Sequence, residues 1–291
     1  MWSAFAAIYL IWGTTYFAIA MVLRSIPPFV GAALRFGVAA AVLWTWLRLR
    51  SPRPLQGLPL KRLILTGALL LAGGNGLTTW AQQGVPSGVT ALVLASAPLT
   101  VMMLDWAFFS GHIPAGRSLA GAMLGLLGVT LIIAHLYGLA GVTRPSHVLA
   151  LLGSLLAWST GTLLVRGAVA PERTIAASCV QMMVGCMVLG FMASVSGEWL
   201  QFDPARVTAT SWLALLYLAV FGSIVALSCY LWLLTQVSAQ KATTYALVNP
   251  VVALLLGATV LDERVTALML LAVALILVGV ALVLIRRPLP S

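Results

Sequence analysis

Ten apolar stretches, each about 20 residues long, run almost end to end through this chain and are broken only by short connections rich in proline, glycine and charge. A helix rises 1.5 Å per residue, so each stretch is long enough to cross a hydrocarbon core of about 30 Å. The breaks place helices at 4–23, 28–49, 61–82, 86–109, 116–135, 147–168, 174–196, 209–233, 239–261 and 265–285. Barrel strands would be roughly 10-residue alternating segments, and none occur. With 62% of residues apolar and 8% charged, little is left over for a soluble domain. Pro27, Pro28, Pro52, Pro54, Pro59, Pro114, Pro145, Pro171 and Pro204 all fall in or beside connections, where proline breaks no spanning ladder. The expected class is an all-α polytopic membrane protein whose partner is the lipid bilayer.

The formal charge of +10 does not point to nucleic acid, because the basic residues stand singly between apolar segments. They read as topology. With a cytoplasmic N-terminus, eleven of the 16 Lys and Arg residues fall inside: Arg48, Arg50, Arg53, Lys61, Arg62, Arg117, Arg166, Arg173, Lys241, Arg286 and Arg287. Arg24, Arg144, Arg206 and Arg264 fall outside, and Arg35 lies within the second span. This bias predicts two cytoplasmic termini in a bacterial inner membrane. The first run, without a basic leader or cleavage motif, reads as a retained helix. Cys179, Cys186 and Cys229 lie in apolar segments without metal or disulfide spacing.

The two halves resemble each other. Trp12-Gly13-Thr14 aligns with Trp158-Ser159-Thr160, which sets Arg35 on Gln181. Pro98 aligns with Pro250, Trp80 with Trp232 and Gly128-Val129 with Gly279-Val280. The expected repeats are residues 1–139 and 140–291. Five helices per repeat is an odd number, so the second copy enters the membrane inverted, an arrangement in which solute sites lie near the midplane between repeats.

Polar groups at membrane depth mark candidate site residues. Asn75, Thr78, Thr79 and Gln82 follow i, i+3, i+4, i+7 on one helical face, fitting either interhelical bonding or a cavity lining. Trp12 and Trp158 lie at mid-span rather than in the interfacial belts. Trp12 shares a face with Thr15 and Tyr16, and Trp158 with Thr162. Lys241, Tyr245 and Asn249 are spaced by four, and Pro98 and Pro250 are expected to kink their helices. Tyr230 and Tyr217 are further candidates. Arg35 is expected to snorkel or pair with carbonyls, a carboxylate-bearing substrate being the other way to satisfy it. Asp105, the one acid clearly within a span, is expected to pair with a basic residue. Gly121, Gly125 and Gly128 read as a packing seam within the bundle, leaving a monomer as the expected state.

The W-G-T-T of helix 1, the A-L-R-F around Arg35, the N-P of helix 9 and the closing D-E-R before a glycine-bearing helix resemble, in order and spacing, the drug/metabolite transporter superfamily of the EamA type. Within it the chain is most similar to the YddG-like bacterial amino-acid exporters. That resemblance implies ten helices around a central cavity and export of small neutral or zwitterionic metabolites, notably aromatic and other apolar amino acids. Glu263 matches the family's acidic position after helix 9, whereas Gly111 and His112 stand at the aligned first-half position. The substrate-binding set expected is Trp12, Tyr16, Asn75, Thr78, Thr79, Gln82, Trp158, Thr162, Tyr230, Tyr245 and Asn249, with no catalytic residue, metal or other cofactor. The alternatives are export of other small metabolites or drugs, a channel, an intramembrane enzyme and a structural subunit. H-E-x-x-H, G-x-S-x-G and Walker motifs are absent from the sequence, and His112, His135 and His147 lie near span ends, which disfavours catalysis.

Overall fold

The structure, a computed structural model, describes residues 1–138, 144–260 and 265–284. Ten long helices make up most of it: α1 (Trp2–Val22), α2 (Pro28–Arg50), α3 (Leu60–Ala81), α4 (Ser87–Ser110), α5 (Gly116–Gly138), α6 (Pro145–Val165), α7 (Thr174–Val195), α8 (Ala209–Gln236), α9 (Thr243–Val260) and α10 (Ala267–Leu284). Eight are long and apolar enough to cross a membrane, and α5 and α10 carry the shorter apolar runs Gly116–Leu131 and Ala267–Leu282. No strand occurs among the described residues. Leu10, Met187, Phe191 and Leu213 are each more than 60% exposed, an outer surface suited to lipid. The expected repeat boundary, Glu263, Arg264, Arg286 and Arg287 lie outside the described residues, as does the side chain of His135.

Local chemistry sets the helix starts. Pro28 and Pro145 occupy first-turn positions, where a missing N–H leaves no bond unmade. The Thr208 side chain accepts from the Ser211 N–H at the head of α8, and Ser238 does the same for Lys241 ahead of α9.

The helix contacts express the duplication. The pairs α2 with α7, α4 with α9 and α5 with α10 pack directly. The contact of α3 with α6 recurs as α8 with α1, that of α3 with α7 as α8 with α2, and that of α4 with α6 as α9 with α1. Exchanging each helix for the one five places along maps these pairs onto one another, as two repeats about a pseudo-two-fold axis require. The seam of Gly121, Gly125 and Gly128 faces inward. A Cβ at Gly279 of α10 would fall 2.5 Å from the Gly121 carbonyl oxygen, and one at Gly128 would fall 2.9 Å from that of Ala272.

Two departures from uniform helices bear on the cavity. Instead of running continuously, α4 loses regular winding at Ala95 and Ser96 and resumes at Ala97, while α9 opens on a 3-10 segment, Thr243–Leu247, and becomes α-helical at Asn249. Pro98 and Pro250 each stand in the first turn of the resumed piece. Second, α3 and α8 contain π-helical segments, Ala68–Gly76 and Leu218–Val225, at matching places in the repeats. Asn75 Nδ2 donates to the Leu70 carbonyl (3.3 Å) and Ser223 Oγ to the Leu218 carbonyl (3.0 Å), each reaching five residues back.

Candidate substrate cavity

At the centre of the bundle α1, α2, α3, α4, α6 and α9 enclose a cavity with an empty volume of about 580 Å³, its open mouth included. Trp12, Thr15, Tyr16 and Ile19 line it from α1, Asn75 and Thr78 from α3, Ser154, Leu155 and Trp158 from α6, and Tyr245 and Asn249 from α9. Leu94 and Ala97 of α4, Gly74 of α3 and Arg35 of α2 complete the wall. Both repeats contribute, as expected for a site on their shared axis.

Three lining rings, Trp12, Trp158 and Tyr245, cluster with Tyr230 behind them. Trp12 lies 5.5 Å from Trp158 edge to face, 5.1 Å from Tyr230 and 4.7 Å from Tyr245, and Trp158 stacks on Tyr230 at 5.5 Å between centroids. Tyr230 is wholly buried and bonds Thr162 Oγ1 at 2.7 Å. Beyond these rings Tyr9 and Thr244 hydrogen-bond at 2.6 Å, joining α1 to α9. Aromatic faces with hydroxyls nearby form an apolar wall with few fixed polar contacts, suited to a small amphipathic solute.

The π-helical segments bring backbone against the tryptophans. Trp12 Nε1 donates to the Gly222 carbonyl at 3.2 Å. A Cβ on Gly74 would fall 2.8 Å from Cε3 of Trp158, so any larger residue there displaces the ring.

Of the residues singled out from sequence, Trp12, Tyr16, Asn75, Thr78, Trp158, Tyr245 and Asn249 meet at the cavity. Thr79, Gln82, Thr162 and Tyr230 stand away from its lining. The Thr79 hydroxyl turns back onto the Asn75 carbonyl (2.8 Å), and the Gln82 amide is enclosed without a hydrogen-bond partner. The polar stripe of α3 therefore divides, its first two members facing the cavity and its last two not. Tyr217 reaches Thr14, and Lys241 is exposed. Asp105 lies 4.0 Å from Arg166, at the limit of an ion pair.

Arg35 departs from expectation. It does not snorkel: it is 4% exposed, and its Nε donates to Ser223 Oγ at 2.8 Å. Thr15, Ser154 and Arg35 are lining residues that the spacing arguments left outside the candidate set. Thr15 was legible from its face shared with Trp12. The Arg35 contact, with a partner 188 residues away, had no local signal.

In sequence and fold the chain is similar to known proteins. A family model described as the EamA-like transporter family matches residues 1–134 and 145–285. A protein described as the uncharacterized inner membrane transporter YedA of Escherichia coli (strain K12) is 36% identical over 276 residues, covering 94% of this chain and 87% of its own. A probable amino-acid metabolite efflux pump of the same strain is 26% identical over 273 residues, covering 90% and 87%. A solved crystal structure superposes with a TM-score of 0.70 at 21% identity, over 97% of this chain and 95% of the other, a likeness of fold.

Proposed function

This chain belongs to the EamA-like transporter family, and from that premise we propose that it is a secondary carrier exporting small neutral or zwitterionic metabolites, aromatic and other apolar amino acids foremost, by alternating access. The observation that carries the reading is the ring of Trp12, Tyr16, Trp158 and Tyr245 around a cavity between the repeats. The relative named as an amino-acid metabolite efflux pump supports the same substrate class.

In this reading residues 1–139 and 140–291 are the two rocking halves of a monomer, and both termini are cytoplasmic in an inner membrane. Ile19, Leu94 and Ala97 then lie in the outer halves of their helices, with the four-ring cluster and the Tyr9–Thr244 bond toward the cytoplasm. On that orientation, and in this reading, the conformation is taken as the one closed toward the cytoplasm. Separation of those rings opens the cavity inward, and the interrupted helices α4 and α9 are where the bundle bends.

The test is uptake of radiolabelled phenylalanine into proteoliposomes of the purified protein, with unlabelled amino acids competing and Trp158→Ala alongside. Saturable flux, removed by competitors and reduced about tenfold in the folded variant, is expected. Flux no greater than in empty liposomes, with or without a proton gradient, overturns the amino-acid reading.

A further inference from the structure

Arg35 is a buried cation without a protein counter-ion. Among the described residues no carboxylate lies within ion-pair distance of it, and the one hydrogen bond it makes, from Nε to Ser223, goes to a neutral hydroxyl. A guanidinium carries five N–H donors, and among the described residues the four on its two terminal nitrogens have no hydrogen-bond acceptor, the Phe36 ring 4.9 Å away being its other close neighbour. Arg35 lines the cavity, and Nη2 lies against Gly222, where a Cβ would approach it to 3.0 Å. Charged groups at membrane depth are costly unless paired or open to a wet cavity.

A second polar group waits in the same space. Asn249, 2% exposed, lines the cavity with the Tyr16 hydroxyl as its polar neighbour. Thr15, which shares the wall beside Gly222, turns its hydroxyl back onto the Trp12 carbonyl at 2.7 Å and so does not satisfy the guanidinium.

We propose that Arg35 is the anion anchor of the cavity, so that the transported solutes are those bearing a carboxylate, which the guanidinium takes as a two-point fork while the aromatic rings hold the apolar body. The inference rests on the carrier reading and narrows it. A carboxylate accepts two parallel N–H bonds from a guanidinium, and its charge offsets the one held at membrane depth. Asn249 supplies the second polar contact, its carbonyl accepting from an ammonium where the solute has one. Amines and cationic drugs of the same apolar shape meet an unopposed positive charge and are refused.

The experiment compares matched probes on the detergent-solubilised full chain by isothermal titration and ligand-induced thermal shift: phenylalanine against phenylalaninamide, leucine against leucinamide, and 3-phenylpropionate against 3-phenylpropionamide. In the wild type each acid is expected to bind at least tenfold tighter than its amide. In Arg35→Gln that preference collapses toward one. Arg35→Lys, with the charge kept and the fork lost, retains part of it. If acids and amides bind alike, or if the folded Arg35→Gln protein keeps the wild-type preference, the anchor is overturned while the carrier reading stands. If no member of any pair binds, the amino-acid reading fails and the anchor falls with it. The wild-type comparison decides the matter even if a variant does not fold.

Discussion

The repeats bring the same crossing into being twice, and the copies differ in one charge. Where α2 crosses α8, Arg35 donates to the hydroxyl of Ser223, and Gly222 abuts the guanidinium and accepts from Trp12. Where α7 crosses α3, Gln181 donates to the hydroxyl of Thr66 at 2.8 Å, and Gly67 lies against the Gln181 backbone. Both crossings run beside a π-helical segment and both pair a long donor with a short hydroxyl. Arg35 faces the cavity, whereas Gln181 is wholly enclosed with its carbonyl oxygen unpartnered. Duplication kept the helix crossing and left the donor and the position of its hydroxyl partner free to differ, and of these two donors the cationic one faces the solute space.

Moving the charge to the wrong copy breaks the comparison most severely. Gln181→Arg buries a guanidinium where no cavity receives it, at an expected cost of about 3–5 kcal/mol, enough to abolish folded protein in size-exclusion and thermal unfolding. A Gln181→Arg protein as stable as wild type would show that these crossings tolerate a charge anywhere.

A smaller effect is expected at Gly222. In Gly222→Val the new side chain meets Nη2 of Arg35 and Cγ2 of Thr15, both within 3.3 Å of its Cβ. Displacing the guanidinium should weaken acid binding by about tenfold, roughly 1.4 kcal/mol, and amide binding much less, as measured by titration. Equal losses for acids and amides would assign Gly222 to packing alone.

Removing the two hydroxyls sharpens the contrast further. Ser223→Ala leaves Arg35 untethered and should cost about 1 kcal/mol in acid affinity. Thr66→Ala should cost a similar amount of stability with no change in affinity, since Gln181 faces no solute. Parallel effects of the two on binding would erase the distinction between the crossings.

The smallest effect concerns the loops. Glu198, in the connection between α7 and α8, accepts from the N–H groups of Phe29 (2.7 Å) and Val30 (3.1 Å) at the start of α2. In the opposite copy Arg173 donates to the Pro54 and Gln56 carbonyls. Burial raises the Glu198 pKa above its ordinary 4.5, outweighing those bonds. A carboxyl raised on folding adds stability below its unfolded pKa and loses it as pH rises through the folded value. Thermal stability should therefore decline slightly on raising pH from about 4.5, and the decline should vanish in Glu198→Gln. An unchanged slope would assign it to another group.

Much of this was legible from sequence because hydropathy and proline act locally. Helix count, connections and the duplication follow from runs of apolar residues and from where Pro28 or Pro145 falls. The interruptions near Ser96 and Val248 were only partly legible, since Pro98 and Pro250 announce a break without saying which turn adapts. The π-helical segments have no pattern of their own, as the same residues suit either winding. Site residues divide in the same way: Trp12 and Trp158 stand out by depth, whereas the partners of Thr79 and Arg35, a carbonyl on the same helix and a hydroxyl on α8, are settled only by packing.

The most direct test measures stability and selectivity together on Arg35→Gln. A charge kept for a solute is a burden in its absence, so the variant should unfold at the same temperature as wild type or higher, while the preference for acids over amides falls from at least tenfold to near one. A variant that unfolds well below wild type and still prefers acids would mean that Arg35 serves the bundle and that the cavity recognises its solute by other groups.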